Sequence, residues 1–351
     1  MEPTITKQDI RKVSKADLQL WLSANKHPKF RAKQIDEWLW QKGKRSFDEM
    51  TNLSKDLRQS LNENFVINGL TVDEFQISTD GTIKLRLKLH DGLLIEGVLI
   101  PADDRFTACV SSQVGCSLTC KFCATGQMKR MRNLEVAEIF DQVVILNEIC
   151  NEYYGSNLTN VVYMGMGEPL LNYKNVLESI NRLTSEEGLH MGARRITVST
   201  AGIAKMIVKL ADDNGRINLA LSLHAANDAK RDKIMPINEQ NNLDILKDAL
   251  RYYADASGRL LYFEYIIFNN FNDKEEDALE LVEFCRGLPC KVNIIEYNPV
   301  SGTGMGRAQY DKVLAFQQIV ADNGIKITLR RSRGKDIDAA CGQLANKKAT
   351  A

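Results

Sequence analysis

Three cysteines at C-x3-C-x2-C spacing, Cys116, Cys120 and Cys123, are the densest chemistry in this chain. Thiolates this close can all reach one inorganic centre. A structural zinc site wants four ligands in a tetrahedral array, and an ordinary iron–sulfur cluster uses four cysteines. Here the local set stops at three. A cubane held by three cysteines leaves one iron open to a substrate. Zinc, or plain packing of the thiols, are the other readings of the same spacing. Eight cysteines occur in all, and in a large reducing-compartment protein clustered thiols point to metal or catalysis before a disulfide framework. Cys109 and Cys341 stand apart from the triad, whereas Cys150, Cys285 and Cys290 fall on helices or their ends and are assigned to packing.

The elements that must hold this loop follow from about residue 106 onward. Mostly continuous apolar strands alternate with amphipathic helices, which implies a parallel sheet covered on its faces. The strands expected are Phe106–Ser112, Asn160–Met164, Arg195–Ser199, Ile217–Leu223, Leu261–Phe268 and Lys291–Tyr297, with a seventh at Ile325–Arg330. Helices are expected at Glu135–Cys150, Tyr173–Leu183, Leu243–Tyr253, Lys274–Cys285 and Asp311–Asp322. A polar motif follows each of the six strands: the cysteine loop, Gly165-Met166-Gly167-Glu168-Pro169, Ser199-Thr200-Ala201-Gly202, Ser222-Leu223-His224, Asn269-Asn270 and Asn298-Pro299. In a βα barrel these strand ends open on one face, where active sites lie. A full barrel takes about 250 residues, so six units over 106–300 predict a partial, more open barrel.

Residues 1–70 read as a helical N-terminal domain, with Ser14 capping Lys15–Ala24, a second stretch at Phe30–Lys42, and Asn52-Leu53-Ser54 opening Lys55–Asn64. This segment carries 13 Lys/Arg against 9 Asp/Glu, a local +4. Alternation at Thr82–Leu89 between the turns Asp80-Gly81 and Asp91-Gly92 predicts a small β-ribbon over 71–105. The barrel then occupies 106–335, and 336–351 form a tail bearing Cys341. The fold class is α/β.

Composition sets outer limits. The chain has 351 residues, 44% hydrophobic and 26% charged, with 46 Lys/Arg against 45 Asp/Glu and a net charge of +1. That balance excludes a histone-like basic protein, and any RNA contact must come from local charge. Candidates are Lys129-Arg130-Met131-Arg132, Arg194-Arg195 and Arg330-Arg331-Ser332-Arg333-Gly334-Lys335, all expected near the motifs at or around the mouth. No apolar run of about 18 residues argues for a membrane span. The polar start Met1-Glu2-Pro3-Thr4 lacks a secretory layout, so a cytoplasmic protein is expected. A monomer is expected too, since no sustained heptad occurs.

The cysteine spacing, with the aromatic Phe122 before Cys123, resembles the signature of the radical S-adenosylmethionine (SAM) enzymes. More closely, the chain resembles the RlmN/Cfr family of radical SAM methyltransferases from about residue 14 to 345. The likeness rests on Phe30–Gln34, Ser46–Met50, Cys109–Cys116, Met164–Leu170, Met235–Asn238 and Asp336–Leu344. The resemblance implies a [4Fe-4S] cluster on Cys116, Cys120 and Cys123, and SAM bound by Gly167, Glu168, Ser199, Ser222, Leu223, His224 and Asn298. It further implies catalytic Glu96, Cys109 and Cys341. Cys341 would take a methyl from one SAM, a second SAM would furnish the radical, Glu96 would accept the ring proton, and Cys109 would free the product through a transient disulfide. The implied substrates are an adenosine of 23S rRNA and the adenosine 3′ of the anticodon in some tRNAs, with a one-electron reductase such as a flavodoxin system as partner. Glu168-Pro169 resembles the branch that methylates C2 rather than C8 of adenine. A radical SAM enzyme acting on a protein or small molecule would leave Cys109, Cys341 and the N-terminal domain without work, and a noncatalytic zinc-containing RNA-binding or ribosome-associated protein is told apart by iron analysis.

Overall fold

The protein is described by a computed structural model covering residues 7–347. The polar start Met1–Thr4 and the last residues of the tail lie outside the described residues. Near the N-terminus, α1 (Lys15–Ala24) begins where Ser14 Oγ accepts from the Asp17 N–H at 3.1 Å. α2 (Arg31–Asp36) runs on into a wider π turn at Glu37–Gln41. α3 (Lys55–Asn64) is capped in the same way by Ser54 on Leu57 N at 3.3 Å. Serine caps satisfy N–H groups that the first helical turn leaves unpaired, which is why the expected starts are borne out.

The ten strands of the main sheet are β1 (Thr71–Ile77), β2 (Ile83–Lys88), β3 (Leu94–Ala102), β4 (Arg105–Cys109), β5 (Asn160–Tyr163), β6 (Ile196–Thr200), β7 (Asn218–Ser222), β8 (Leu261–Ile266), β9 (Cys290–Ile295) and β10 (Lys326–Arg330). Their order in space is their order in sequence. From β4 to β10 every neighbour pair is parallel. From β1 to β4 every pair is antiparallel. The expected partial barrel is therefore present, and the expected ribbon strands continue its sheet. The parallel strands alternate with α4 (Val136–Tyr154), α5 (Tyr173–Thr184), α6 (Ala204–Asn214), α7 (Asp228–Ile234), α8 (Leu243–Ser257), α9 (Glu275–Cys285) and α10 (Tyr310–Asp322).

Strand register decides which side chains face the barrel interior. Arg86 pairs with Glu96, Val98 with Cys109, and Cys109 with Val162. Further on, Ser199 pairs with Ala220, Ser222 with Glu264, Glu264 with Asn293, and Ile295 with Arg330. Successive side chains alternate faces, so Glu96, Cys109, Ser199, Ser222, Glu264, Asn293 and Arg330 share the inner face. The intervening Val161, Val198, Leu221, Phe263 and Ile294 are buried in the main core. Polar inner face and apolar outer face make the barrel a scaffold for a site.

The N-terminal helices are fastened to α4 by a buried ion pair. Arg11 Nη1 donates to Asp141 Oδ1 and Oδ2 at 2.8 and 2.9 Å, with both side chains 2% exposed. Trp40 packs edge-to-face on Phe140, ring centroids 5.1 Å apart. Among the described residues no helix is long and apolar enough to cross a membrane.

Candidate active site

The cysteine loop leaves β4 and is held on three sides. Lys121 N donates to Ile234 O at 3.0 Å on α7, Ala124 N to Gly342 O at 2.7 Å, and Thr125 Oγ1 to Leu344 O at 2.7 Å. The loop thus rests on both α7 and the C-terminal tail. A glycine is required at 126, because a Cβ there would sit 2.7 Å from Cys120 O. Cys116, Cys120, Cys123 and Cys341 all pack on one apolar patch that includes Phe122, Ile266, Phe268, Ile295 and Tyr297. Burial pushes the Cys116 thiol up to about 11, and raises Cys120 and Cys123 as well. On Cys120 the charges of Cys123, Cys116 and Glu168 add to burial. Such thiols stay protonated and inert unless a metal ion deprotonates them. Among the described residues no three His, Cys, Asp or Glu side chains close round a single-ion position. A cubane presents its irons at separate corners, so its ligands stand further apart than those of one zinc.

Glu168 follows β5 and is buried. Its Oε1 accepts from Leu170 N at 3.0 Å, and its Oε2 from Ala201 N at 2.8 Å beyond β6. Burial, against the pull of these N–H groups, lifts the carboxyl to about 7. Gly167 adopts φ +96°, and a Cβ there would meet Gln113 Cβ at 2.5 Å. This glycine therefore serves close packing of the turn against Gln113. Ser199 Oγ and Ser222 Oγ lie 3.4 Å apart on adjacent strands. Leu223 is fully buried, and its N–H donates to Glu264 O at 3.0 Å. His224 holds φ +55°, and its Nδ1 accepts from Ile266 N at 3.1 Å. Its ring stands edge-to-face on Phe122 with centroids 4.7 Å apart. Burial and then the charge of Arg231 drive the imidazole down to about 3, so it is neutral, with its proton on Nε2. Asn298 Nδ2 donates to Ser332 Oγ at 3.0 Å and to Cys341 O at 3.4 Å, while its buried Oδ1 has no partner among the described residues. An orphaned buried acceptor beside Cys341 suits a polar ligand. The donor set fits a thiolate-held cluster with an amino-acid-like group beside it.

Cys109, on β4, senses the charge of Cys341, in the tail, and both sense Arg330. Burial and then the Cys341 charge push the Cys109 thiol up to about 12, while Arg330 pulls it down. Arg330 is in turn raised chiefly by Cys341, with Glu264 and Cys109 adding to it. Glu96 is buried, with Oε2 accepting from Ala345 N at 2.8 Å and Oε1 3.7 Å from Lys84 Nζ. Burial raises its carboxyl. All eight cysteines are free thiols.

The basic runs divide. Lys129 and Arg130 are exposed, but Arg132 is engaged by Asp91 at 2.7 Å and Glu138 at 2.8 Å. Arg194-Arg195 precede β6 and so lie at the end opposite the mouth, a correction to their expected place. Arg330 points inward, leaving Arg331 and Arg333 outside. Glu264 and Arg231 were not among the expected site residues. Glu264 is buried, takes a bond from Asn293 Nδ2 at 2.9 Å, and has an unpartnered Oε2 among the described residues. A lone Glu in an apolar strand was the available signal.

A parallel partial barrel with a three-cysteine loop after its first parallel strand defines a radical SAM enzyme, the class for which SAM and a [4Fe-4S] cluster are the implied cofactors. The Radical SAM superfamily profile matches residues 110–282, and the profile described as "Ribosomal RNA large subunit methyltransferase N-terminal domain" matches residues 8–67. The chain is 58% identical to a probable dual-specificity RNA methyltransferase RlmN of Cytophaga hutchinsonii, over 98% of this chain and 94% of the relative. It is 43% identical to the protein of that description from Bacillus subtilis, over 94% of this chain and 91% of the relative. A crystal structure of a radical SAM methyltransferase from Sphaerobacter thermophilus superposes with TM-score 0.91 at 41% identity, covering 97% of this chain and 100% of that one. The chain belongs to the RlmN family of radical SAM RNA methyltransferases.

Proposed function

We propose that the chain methylates C2 of a specific adenosine in 23S rRNA, and of the adenosine 3′ of the anticodon in some tRNAs. The observation that supports this most directly is that Cys341 packs on the same apolar patch as Cys116, Cys120 and Cys123, with Cys109 near enough to sense its charge. Adenine C2 is an electrophilic amidine carbon, so transfer of an electrophilic methyl fails there and a carbon carrier is needed.

In this reading Cys116, Cys120 and Cys123 hold the cluster, and Gly167, Glu168, Ser199, Ser222, Leu223, His224 and Asn298 border SAM. When bound and reduced, such a cluster would supply one-electron cleavage of SAM, and the chemistry would act on a hydrogen of the methyl carried by Cys341. Cys341, methylated by another SAM, presents that carbon to the ring. Glu96 accepts the ring proton, and a buried, raised carboxyl is suited to a general base. The adduct passes its unpaired electron to the one-electron carrier, and Cys109, giving up its proton, attacks the Cys341 sulfur to form a disulfide, breaking that sulfur's bond to the transferred carbon, which takes up a proton and leaves with the base as a methyl group.

Glu168-Pro169 supports C2 over C8. Pro169 occupies the first position of the 3-10 turn Pro169–Asn172, which the Glu168 side chain caps. Residues 1–70 dock the RNA, with Lys129, Arg130, Arg331 and Arg333 as phosphate contacts, so binding weakens with salt. A flavodoxin-type donor, a monomeric state and a cytoplasmic setting complete the reading. Nucleoside mass spectrometry of RNA treated with the reconstituted enzyme tests it: 2-methyladenosine is expected, 8-methyladenosine overturns the regiochemistry, and unmodified RNA overturns the function.

A further inference from the structure

Arg231 on α7 is 0% exposed, and its hydrogen bonds end on neutral acceptors. Nε donates to Leu223 O at 3.1 Å, Nη1 to Asn238 Oδ1 at 2.7 Å, and Nη2 to Ala201 O at 2.6 Å and Ser222 O at 3.2 Å. Three of these carbonyls belong to the ends of β6 and β7, beside the motifs that border the site. The Met235-Pro236-Ile237-Asn238 motif has its place here, since Asn238 stands between Arg231 and two acids. Asn238 Nδ2 donates to Asp228 Oδ1 and Asp232 Oδ1, each at 2.7 Å. Neither acid forms an ion pair with the guanidinium.

A guanidinium keeps its charge in proteins, and a buried charge is costly unless an anion faces it. Burial pulls Arg231 down to about 10, and the strongest opposing influence is the Cys120 thiolate, ahead of Asp228 and Asp232. The contact geometry agrees: Arg231 Nη2 is bonded to Ala201 O at 2.6 Å, Ala201 and Ile234 lie in the one buried patch on which Cys120 packs, and Lys121 N donates to Ile234 O at 3.0 Å. His224, which senses the charge of Arg231, is neutral.

We propose that Arg231 is the fixed counter-cation of the cluster corner held by Cys120, making the cluster easier to reduce. The proposal rests on the reading of Cys120 as a cluster ligand. Reduction adds one negative charge to the thiolate-held cluster, and a buried cation nearby lowers the cost of that electron. The four hydrogen bonds hold the charge in one place. Arg231 is thus a positioning residue acting through Cys120.

The test is an EPR-monitored redox titration of anaerobically reconstituted full-length protein without SAM, with iron content measured for each variant. Arg231→Gln removes the charge, Arg231→Lys keeps it without the fork, and Asn238→Asp offsets it with a carboxylate. Arg231→Gln and Asn238→Asp should show a reduced-to-oxidised ratio about tenfold lower at a fixed poise, ~59 mV for one electron, while Arg231→Lys stays close to the unaltered chain. An unchanged potential in either neutralised variant that carries full iron overturns the proposal. If neither neutralised variant loads iron, loading by Arg231→Lys supports a role for charge, and failure of Arg231→Lys as well overturns it in favour of the hydrogen-bond fork. Full iron in Cys120→Ala overturns the underlying ligand reading instead, which separates the two.

Discussion

Glu96 accepts a hydrogen bond from Ala345 N at 2.8 Å, tying the inner face of β3 to the tail just beyond Cys341. Asn346 Nδ2 adds a second tie to Leu94 O at 2.7 Å. The proposed proton acceptor and the proposed carrier are therefore held by one short stretch of backbone. Glu96→Gln keeps an acceptor for Ala345 and removes the base. Adduct formation should continue while product release slows by about 10²–10⁴-fold, the usual worth of general base catalysis. Single-turnover gels checking for retained protein–RNA adduct decide the matter, and wild-type release would remove Glu96 from the role.

The thiol pair makes a sharper distinction. Cys109→Ala should stop resolution, so a covalent protein–RNA species accumulates and turnover ends after the first event. Cys341→Ala should give neither adduct nor methylated RNA. Denaturing gels with labelled RNA measure both, and methylation by Cys341→Ala would exclude the carrier.

Glu168 carries a pH signature. Its carboxyl rises from 4.5 to about 7 in the folded chain, so the native state holds its proton more tightly than the unfolded state. The stability linked to that proton is complete below pH 4.5 and is lost as pH rises through about 7. At 1.36 kcal/mol per unit the loss reaches at most about 3 kcal/mol. Urea midpoints at acid and alkaline pH should fall more steeply for the unaltered protein than for Glu168→Gln. Equal slopes would contradict the raised value.

The buried tie between the N-terminal helices and α4 is the Arg11–Asp141 pair. Asp141→Ala leaves the buried Arg11 with Asp9, at 3.3 Å, as its remaining counter-charge and should cost up to about 3 kcal/mol. Arg11→Ala should cost a similar amount, and the double variant less than the sum of the two, because the partners are in contact. Chemical denaturation of the three variants checks this; additive losses would show that the contact is not coupled.

The sequence was most readable where spacing is local. The cysteine loop, the caps at Ser14 and Ser54 and the alternation of strand and helix all act within a few residues, and they stand where expected. Register was not readable, because a strand's face is fixed only when its partners are known. Glu264 and Arg330 gained meaning only once Ser222, Asn293 and Ile295 were seen beside them. Arg330 belongs to a basic run expected to contact RNA, yet its β10 register turns it inward. Arg194-Arg195 adjoin a motif of the mouth in sequence, but the strand Ile196–Thr200 separates them from it. Arg231 was hidden in an ordinary polar helix, since its partners are backbone carbonyls from distant strands.

The measurement that bears most directly on the account is release of 5′-deoxyadenosine. Anaerobically reconstituted protein given dithionite and SAM should liberate it, and Cys116→Ala, Cys120→Ala or Cys123→Ala should lose both iron and this product. Iron-loaded protein that never cleaves SAM under these conditions would contradict the central claim.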